Sequence, residues 1–164
     1  MSSREDEDDM CAETMRRWFG RDERGFSLIE LMVVVLIIGV LIGIALPIFL
    51  GARERAQDRA ATTDLRTGLA AALTYFAESP DWDGFDATEA SNAEGNLTWI
   101  DGGDPAVGEI SIEIHADWDL LLVVESGSGS FFCVAQVLNN PATLHGNGPT
   151  FASVDTIPEC TGGW

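Results

Sequence analysis

Glu30 is the side chain in this sequence most in need of a chemical partner. It stands directly before Leu31–Leu50, twenty consecutive residues without a charged or strongly polar side chain. A carboxylate inside a membrane helix costs about 3 kcal/mol at the bilayer centre and less at its edge, and it is usually paired with a cation. Cys133 and Cys160 form a second candidate pair. Neither has the local Cys/His spacing of a zinc site, and in an exported domain such a pair persists as a disulfide. Closing that loop restricts the unfolded chain by about 3 kcal/mol. Cys11 stands apart, within the first 25 residues. Asp81, Asp83, Asp86 and Glu89 supply carboxylates at the density a Ca²⁺ loop needs, with Asp101 and Asp104 as further oxygen donors. Their spacing is not that of an EF-hand, and an acidic chain gathers such clusters by chance. Apart from this weak calcium candidate no cofactor is expected.

Other reactive residue types are scattered. His115 and His145 are isolated and read as polar strand or surface residues. Ser126, Ser128 and Ser130 lie in a Gly/Ser turn without a nucleophile motif, so no Ser/His/Asp constellation is legible. No catalytic role is expected of these residues. Asn96-Leu97-Thr98 is a glycosylation sequon. Gly162-Gly163-Trp164 reads as a surface tail near the Cys160 loop, and an exposed Trp there would be available for adhesion or subunit contact.

The elements that position these groups follow from patterning. The chain has 164 residues, room for one domain, and a formal net charge of −18 with no Lys at all. Such acidity argues against nucleic-acid binding by counterion release and for mutual repulsion between soluble heads. Twenty apolar residues in a helix span about 30 Å, the thickness of a bilayer's hydrocarbon core, and a single helix satisfies its own backbone in lipid. The helix should continue through Ala52–Phe76, which is rich in helix formers. There Leu65, Leu69, Leu73 and Phe76 mark an apolar face thickened by Ala72. Pro47 predicts a kink, and Ser79-Pro80 ends the helix. Residues 79–96 read as a polar loop. Strand-like runs follow at Leu97–Ile100, Glu109–His115, Leu120–Val124 and Phe131–Leu138. In the second of these Ile110, Ile112 and Ile114 should point inward. The Gly/Ser turn at 126–130 links the last two, and the last three runs form an antiparallel meander. Asn139-Asn140-Pro141 and His145–Pro149 mark a long loop, and Thr150–Thr156 a short edge strand. The fold class is α+β: a long N-terminal helix whose second half packs on a small antiparallel sheet.

Gly25-Phe26-Ser27-Leu28-Ile29-Glu30, followed at once by the apolar run, resembles the N-terminal signal of type IV prepilins and pseudopilins. The resemblance implies a pilin fold, cleavage after Gly25 by a membrane prepilin peptidase, and N-methylation of Phe26. It implies that residues 1–25 are a removed leader, 26–50 the membrane and filament-core half of the helix, and 51–164 a soluble head. Glu30 would pair with the freed amine of a neighbouring subunit. Gly39, Gly43 and Pro47 sit where such helices carry helix-weakening residues. The implied partners are further copies of the chain in a filament, the peptidase/N-methyltransferase, an assembly platform with its ATPase, and the membrane.

Arginines flank the apolar run on both sides, Arg16, Arg17, Arg21 and Arg24 before it and Arg53, Arg55, Arg59 and Arg66 after it. Charge alone therefore leaves the orientation open. The resemblance implies a cytoplasmic N-terminus and an external head, carried outside the cell in the assembled filament. Two other readings stand beside the pilin. A pseudopilin of a secretion or DNA-uptake system carries the same motif. A secretory signal peptide with Gly43-Ile44-Ala45 as its cleavage site would release a soluble binding domain.

Overall fold

The computed structural model describes residues 25–115, 119–137 and 142–164. Residues 1–24 with Cys11, together with Leu138 and Asn139-Asn140-Pro141, lie outside the described residues. Helix α1 covers Leu28–Glu78 and α2 covers Ala87–Ala93. The strands are β1 (Thr98–Asp101), β2 (Glu109–His115), β3 (Asp119–Glu125), β4 (Phe131–Gln136) and β5 (Leu144–Gly148), and a 3₁₀ turn follows at Phe151–Ser153. The chain divides into two compact units, one ending at Leu46 and the other running from Pro47 to Trp164.

In the first unit α1 has no internal packing. Every residue from Gly25 to Leu46 is exposed. An 18-residue window of the helix has a mean hydropathy of 3.2, and none of it is buried. By length and composition this helix can cross a membrane. The helix continues through Pro47 and stops at Glu78, directly before Ser79-Pro80.

In the second unit the five strands form one sheet in the order β1-β2-β3-β4-β5. β2, β3, β4 and β5 pair antiparallel in sequence order. β1 runs parallel to β2, Thr98 opposite Glu109 and Asp101 opposite Ile112, so the sheet is mixed and not purely antiparallel as expected. Parallel neighbours normally need a long crossover. β1 is only four residues long, and the segment 102–108 suffices to carry the chain back along it. Gly102, Gly103 and Gly108 adopt positive φ in that return.

One face of the sheet is covered by α1. Leu65, Ala61 and Ala72 pack with Ile110, Ile112, Leu120, Leu122, Val124, Phe132 and Val134. The helix stripe is rotated from the one expected: Ala61, Thr62, Leu65, Gly68, Ala71 and Ala72 are buried, whereas Leu73 is 42% exposed. Small residues occupy the seam because Trp99 lies against it. A Cβ placed on Gly68 would come within 2.9 Å of the Trp99 ring and 3.2 Å of Ile110 Cδ1. Ile114, expected inside, is 45% exposed. β1 ends opposite Ile112, so Ile114 has no neighbour on that flank.

The opposite face is also buried. Leu121, Val123, Phe131, Cys133 and Ala135 pack beneath Val154, Cys160, Phe151 and Ile157. This is why β3 reads as a continuous apolar run: both of its faces are inside. The expected edge strand at Thr150–Thr156 is instead the 3₁₀ turn and the cover of this second core. The true edge strand, β5, lies in the Gly-rich stretch read as loop. Its composition disfavours a strand, but Gly146 is required there. A Cβ would meet Thr161 N at 2.7 Å, Cys160 C at 2.8 Å and Cys133 Sγ at 2.9 Å. A glycine inside a strand often marks such a close backbone approach.

Replacing Gly68 by Leu should destabilise the second unit by about 2 kcal/mol, because overpacking against Trp99 outweighs the roughly 1 kcal/mol gained in helix propensity. Chemical unfolding of the full chain followed by Trp fluorescence checks this, and an unchanged midpoint would contradict it.

Candidate functional site

The residues expected to be processed lie together at the start of α1. Gly25, Phe26 and Ser27 precede the helix, and Phe26 is 80% exposed. Ser27 occupies the N-cap position and Glu30 the third helical position. Ser27 N–H donates to Glu30 Oε2 at 3.0 Å, while the Ser27 carbonyl accepts from the amides of Glu30 and Leu31 at 3.0 and 3.2 Å. This is the Glu half of an S-x-x-E capping box, a signal present in the sequence beside the charge argument for Glu30. The helix terminus also favours a negative charge there. Glu30 is thus held by its own chain through one oxygen, and the other is available to a cation.

Gly39 and Gly43 lie four residues apart, on one face of the helix. A Cβ at either would meet nothing within 4 Å, so nothing within the chain requires glycine there. Small residues at this spacing let helices approach closely in lipid. Pro47 stands inside an uninterrupted helical assignment.

The chain carries the prokaryotic N-terminal methylation motif. The family model of that description matches residues 20–46, spanning Gly25, Phe26, Glu30, Gly39 and Gly43. The motif is the signature shared by type IV pilins and pseudopilins. No curated protein and no solved structure matches the chain. The methylation motif and the apolar helix fit a membrane-anchored precursor.

The remaining candidates fall in the second unit. Cys133 and Cys160 form a disulfide with Cα atoms 5.8 Å apart, tying β4 to the segment that covers the second core. The carboxylates weighed for calcium do not converge. Asp86 Oδ1 accepts the Thr88 and Glu89 amides at 2.8 and 2.9 Å, capping α2. Asp81 Oδ1 accepts the Asp83 amide at 3.1 Å, and Asp101 Oδ1 the Ala87 amide at 2.6 Å. Among the described residues no group of three or more His, Cys, Asp or Glu is placed to hold a metal ion. Nor are residues 79–96 merely a polar loop: Trp82 and Phe85 are buried, each 1% exposed, and α2 follows them. Asn96 is exposed, with its Nδ2 donating to Glu94 Oε1 at 2.8 Å.

The Gly/Ser turn has a structural partner not visible in the local sequence. Ser126 Oγ and Ser128 Oγ both donate to Asp58 Oδ1, at 2.8 and 2.5 Å, fastening α1 to the β3–β4 hairpin. Trp164 is not a free tail. Its Nε1–H donates to the Cys133 carbonyl at 3.0 Å, its ring meets Phe132 and His145 edge-on, and the Arg66 guanidinium lies 4.7 Å from its centroid. His115 Nε2 and His145 Nδ1 are buried and have no hydrogen-bond partner among the described residues.

Burial, and then the Arg66 charge, push the His145 pKa below its ordinary 6.5. The folded state therefore resists a proton that the unfolded state accepts. His145 adds no penalty above the unfolded value. As pH falls below about 6.5, stability is lost progressively until the lower folded pKa is passed. Asp64, raised by burial, and Asp155, raised by burial and by neighbouring Glu159, act with the opposite sign. Subtracting the pH profile of His145→Gln from that of the wild type removes both. Melting curves from pH 7.5 to 5 should show the wild type losing more stability than the variant on acidification; parallel profiles would contradict the assignment.

Proposed function

We propose that this chain is a structural, non-catalytic subunit of a type IV pilus-like filament, made as a prepilin and assembled through helix α1. The observation that carries the reading is the methylation motif over residues 20–46 running into a helix with no buried residue in its apolar half. A membrane peptidase would cut the chain after Gly25, where a residue without Cβ gives access to extended backbone. Phe26 would become the methylated N-terminus. In the membrane, lipid covers α1. In a filament, α1 of other copies replaces lipid, and van der Waals packing drives the exchange. The Glu30 carboxylate would then take the Phe26 amine of a neighbouring copy. Such a pair fixes register between subunits even where it adds little net stability. The head stays outside the filament core.

A pseudopilin in a secretion or DNA-uptake machine shares every one of these steps. Surface filaments favour the pilus, and retention of exported enzymes in a deletion strain favours the pseudopilin.

Processing is checked by intact mass and N-terminal sequencing of the subunit from membranes. The expected chain begins at methylated Phe26 and lacks the two hydrogens lost in the Cys133–Cys160 bond. A start near Leu46 would make the chain a secreted domain behind an ordinary signal peptide.

Two substitutions separate the roles of Glu30. Glu30→Gln keeps an oxygen that accepts the Ser27 amide but removes the charge, whereas Glu30→Ala removes both. Both variants should insert in the membrane and assemble poorly, and only Glu30→Ala should also fray the first turn of α1, detectable by amide exchange. Normal filament yield from Glu30→Gln would refute a charge pair at this position.

A further inference from the structure

All the cations of the chain beyond Gly25 are four arginines on α1: Arg53, Arg55, Arg59 and Arg66. Residues 67–164 contain fifteen Asp and Glu and no Arg or Lys. Arg66 lies over the Trp164 ring. The other three are exposed and form no ion pair with any described residue.

Helical spacing explains why they are unpaired. Side chains meet at i±3 and i±4 on a helix. Around Arg53 those positions are Phe49, Leu50, Ala56 and Gln57, and around Arg59 they are Arg55, Ala56, Thr62 and Thr63. Neither set contains a carboxylate. Arg55 has Asp58 three residues on, but the Asp58 Oδ1 is taken by the hydroxyls of Ser126 and Ser128. Arg55 and Arg59 are themselves i and i+4, a like-charge pair that disfavours the isolated helix. The chain therefore presents three exposed arginines shortly after its apolar run, interleaved with Glu54 and Asp58, in a protein that is otherwise strongly acidic.

We propose that Arg53, Arg55 and Arg59 form a docking surface for a second copy of this chain, taking carboxylates from the cation-free part of its head. The inference rests on the filament reading and names the charges that hold neighbouring heads in register. The complementarity is between two regions of one sequence, so it favours head-to-tail contacts, the kind that propagate a filament. Being exposed, the contacts should weaken with salt.

The absence of Lys supplies the test. In the triple variant R53K/R55K/R59K the charge is kept and three amines are introduced into a chain whose other amine is its N-terminus. Assembled subunits are treated with a zero-length carbodiimide, which joins an amine only to a carboxylate in contact with it. The expected result is cross-links beyond any that the N-terminal amine forms in the wild type, with peptide mapping that joins Lys at 53, 55 or 59 to a carboxylate beyond residue 66. The companion triple variant to Gln should still be processed and inserted, while filament yield falls roughly tenfold and surviving filaments come apart at lower salt. If filaments form but the Lys variant yields no cross-links above the wild type, the docking surface is refuted and the filament reading stands. If the Gln variant is instead lost from the membrane, the arginines serve lipid headgroups and the proposal falls. If the wild type forms no filament at all, the filament reading itself fails and takes this surface with it.

Discussion

The structure depends on an apolar surface that its own chain does not cover. From Leu28 to Leu50 every side chain of α1 is exposed, and water is a poor environment for that surface. The helix must therefore be covered by lipid or by other helices. Either environment lacks hydrogen-bonding partners for backbone, which a continuous helix does not need. The one polar side chain within that stretch, Glu30, caps the helix terminus by accepting the Ser27 amide through one carboxylate oxygen.

The second unit solves a different problem. It must stay folded with about a hundred residues and a large excess of negative charge, where a single modest core is available. It does so by burying both faces of β3 and β4. The second half of α1 covers one face with a seam of small residues. The segment after β5 covers the other and is held by the Cys133–Cys160 bond. Two glycines make this packing sterically feasible, Gly68 under Trp99 and Gly146 under the disulfide. Acidic residues do structural work within the unit: Asp58 fastens a hairpin to the helix, and Asp81, Asp86 and Asp101 accept backbone amides. Carboxylates used as acceptors in this way need no cation, which reconciles the acidity with a fold that has few positive charges.

Helix α1, its end at Ser79-Pro80, the β2–β3–β4 meander and the Cys pair were all legible in the sequence. Each rests on local periodicity, on a breaker residue or on simple elimination among cysteines. The methylation motif was legible for the same reason, since it is a contiguous string of residues. What local pattern could not reveal was contact between segments distant in sequence. The buried face of α1 was decided by Trp99, some thirty residues later. β5 was decided by the disulfide pressing on Gly146. The parallel pairing of β1 followed from its shortness, and Trp82 and Phe85 were drawn inside from a stretch that looked polar. The Asp58–Ser126–Ser128 tie and the seating of Trp164 joined residues with no sequence relation at all. The sequence by itself thus determined the membrane-compatible helix and its chemistry at Glu30, because a stretch of apolar side chains acts without reference to the rest of the chain. Only the tertiary structure decided which carboxylates were already engaged and which arginines were left unpaired, because neutralising a charge depends on what lies beside it in space.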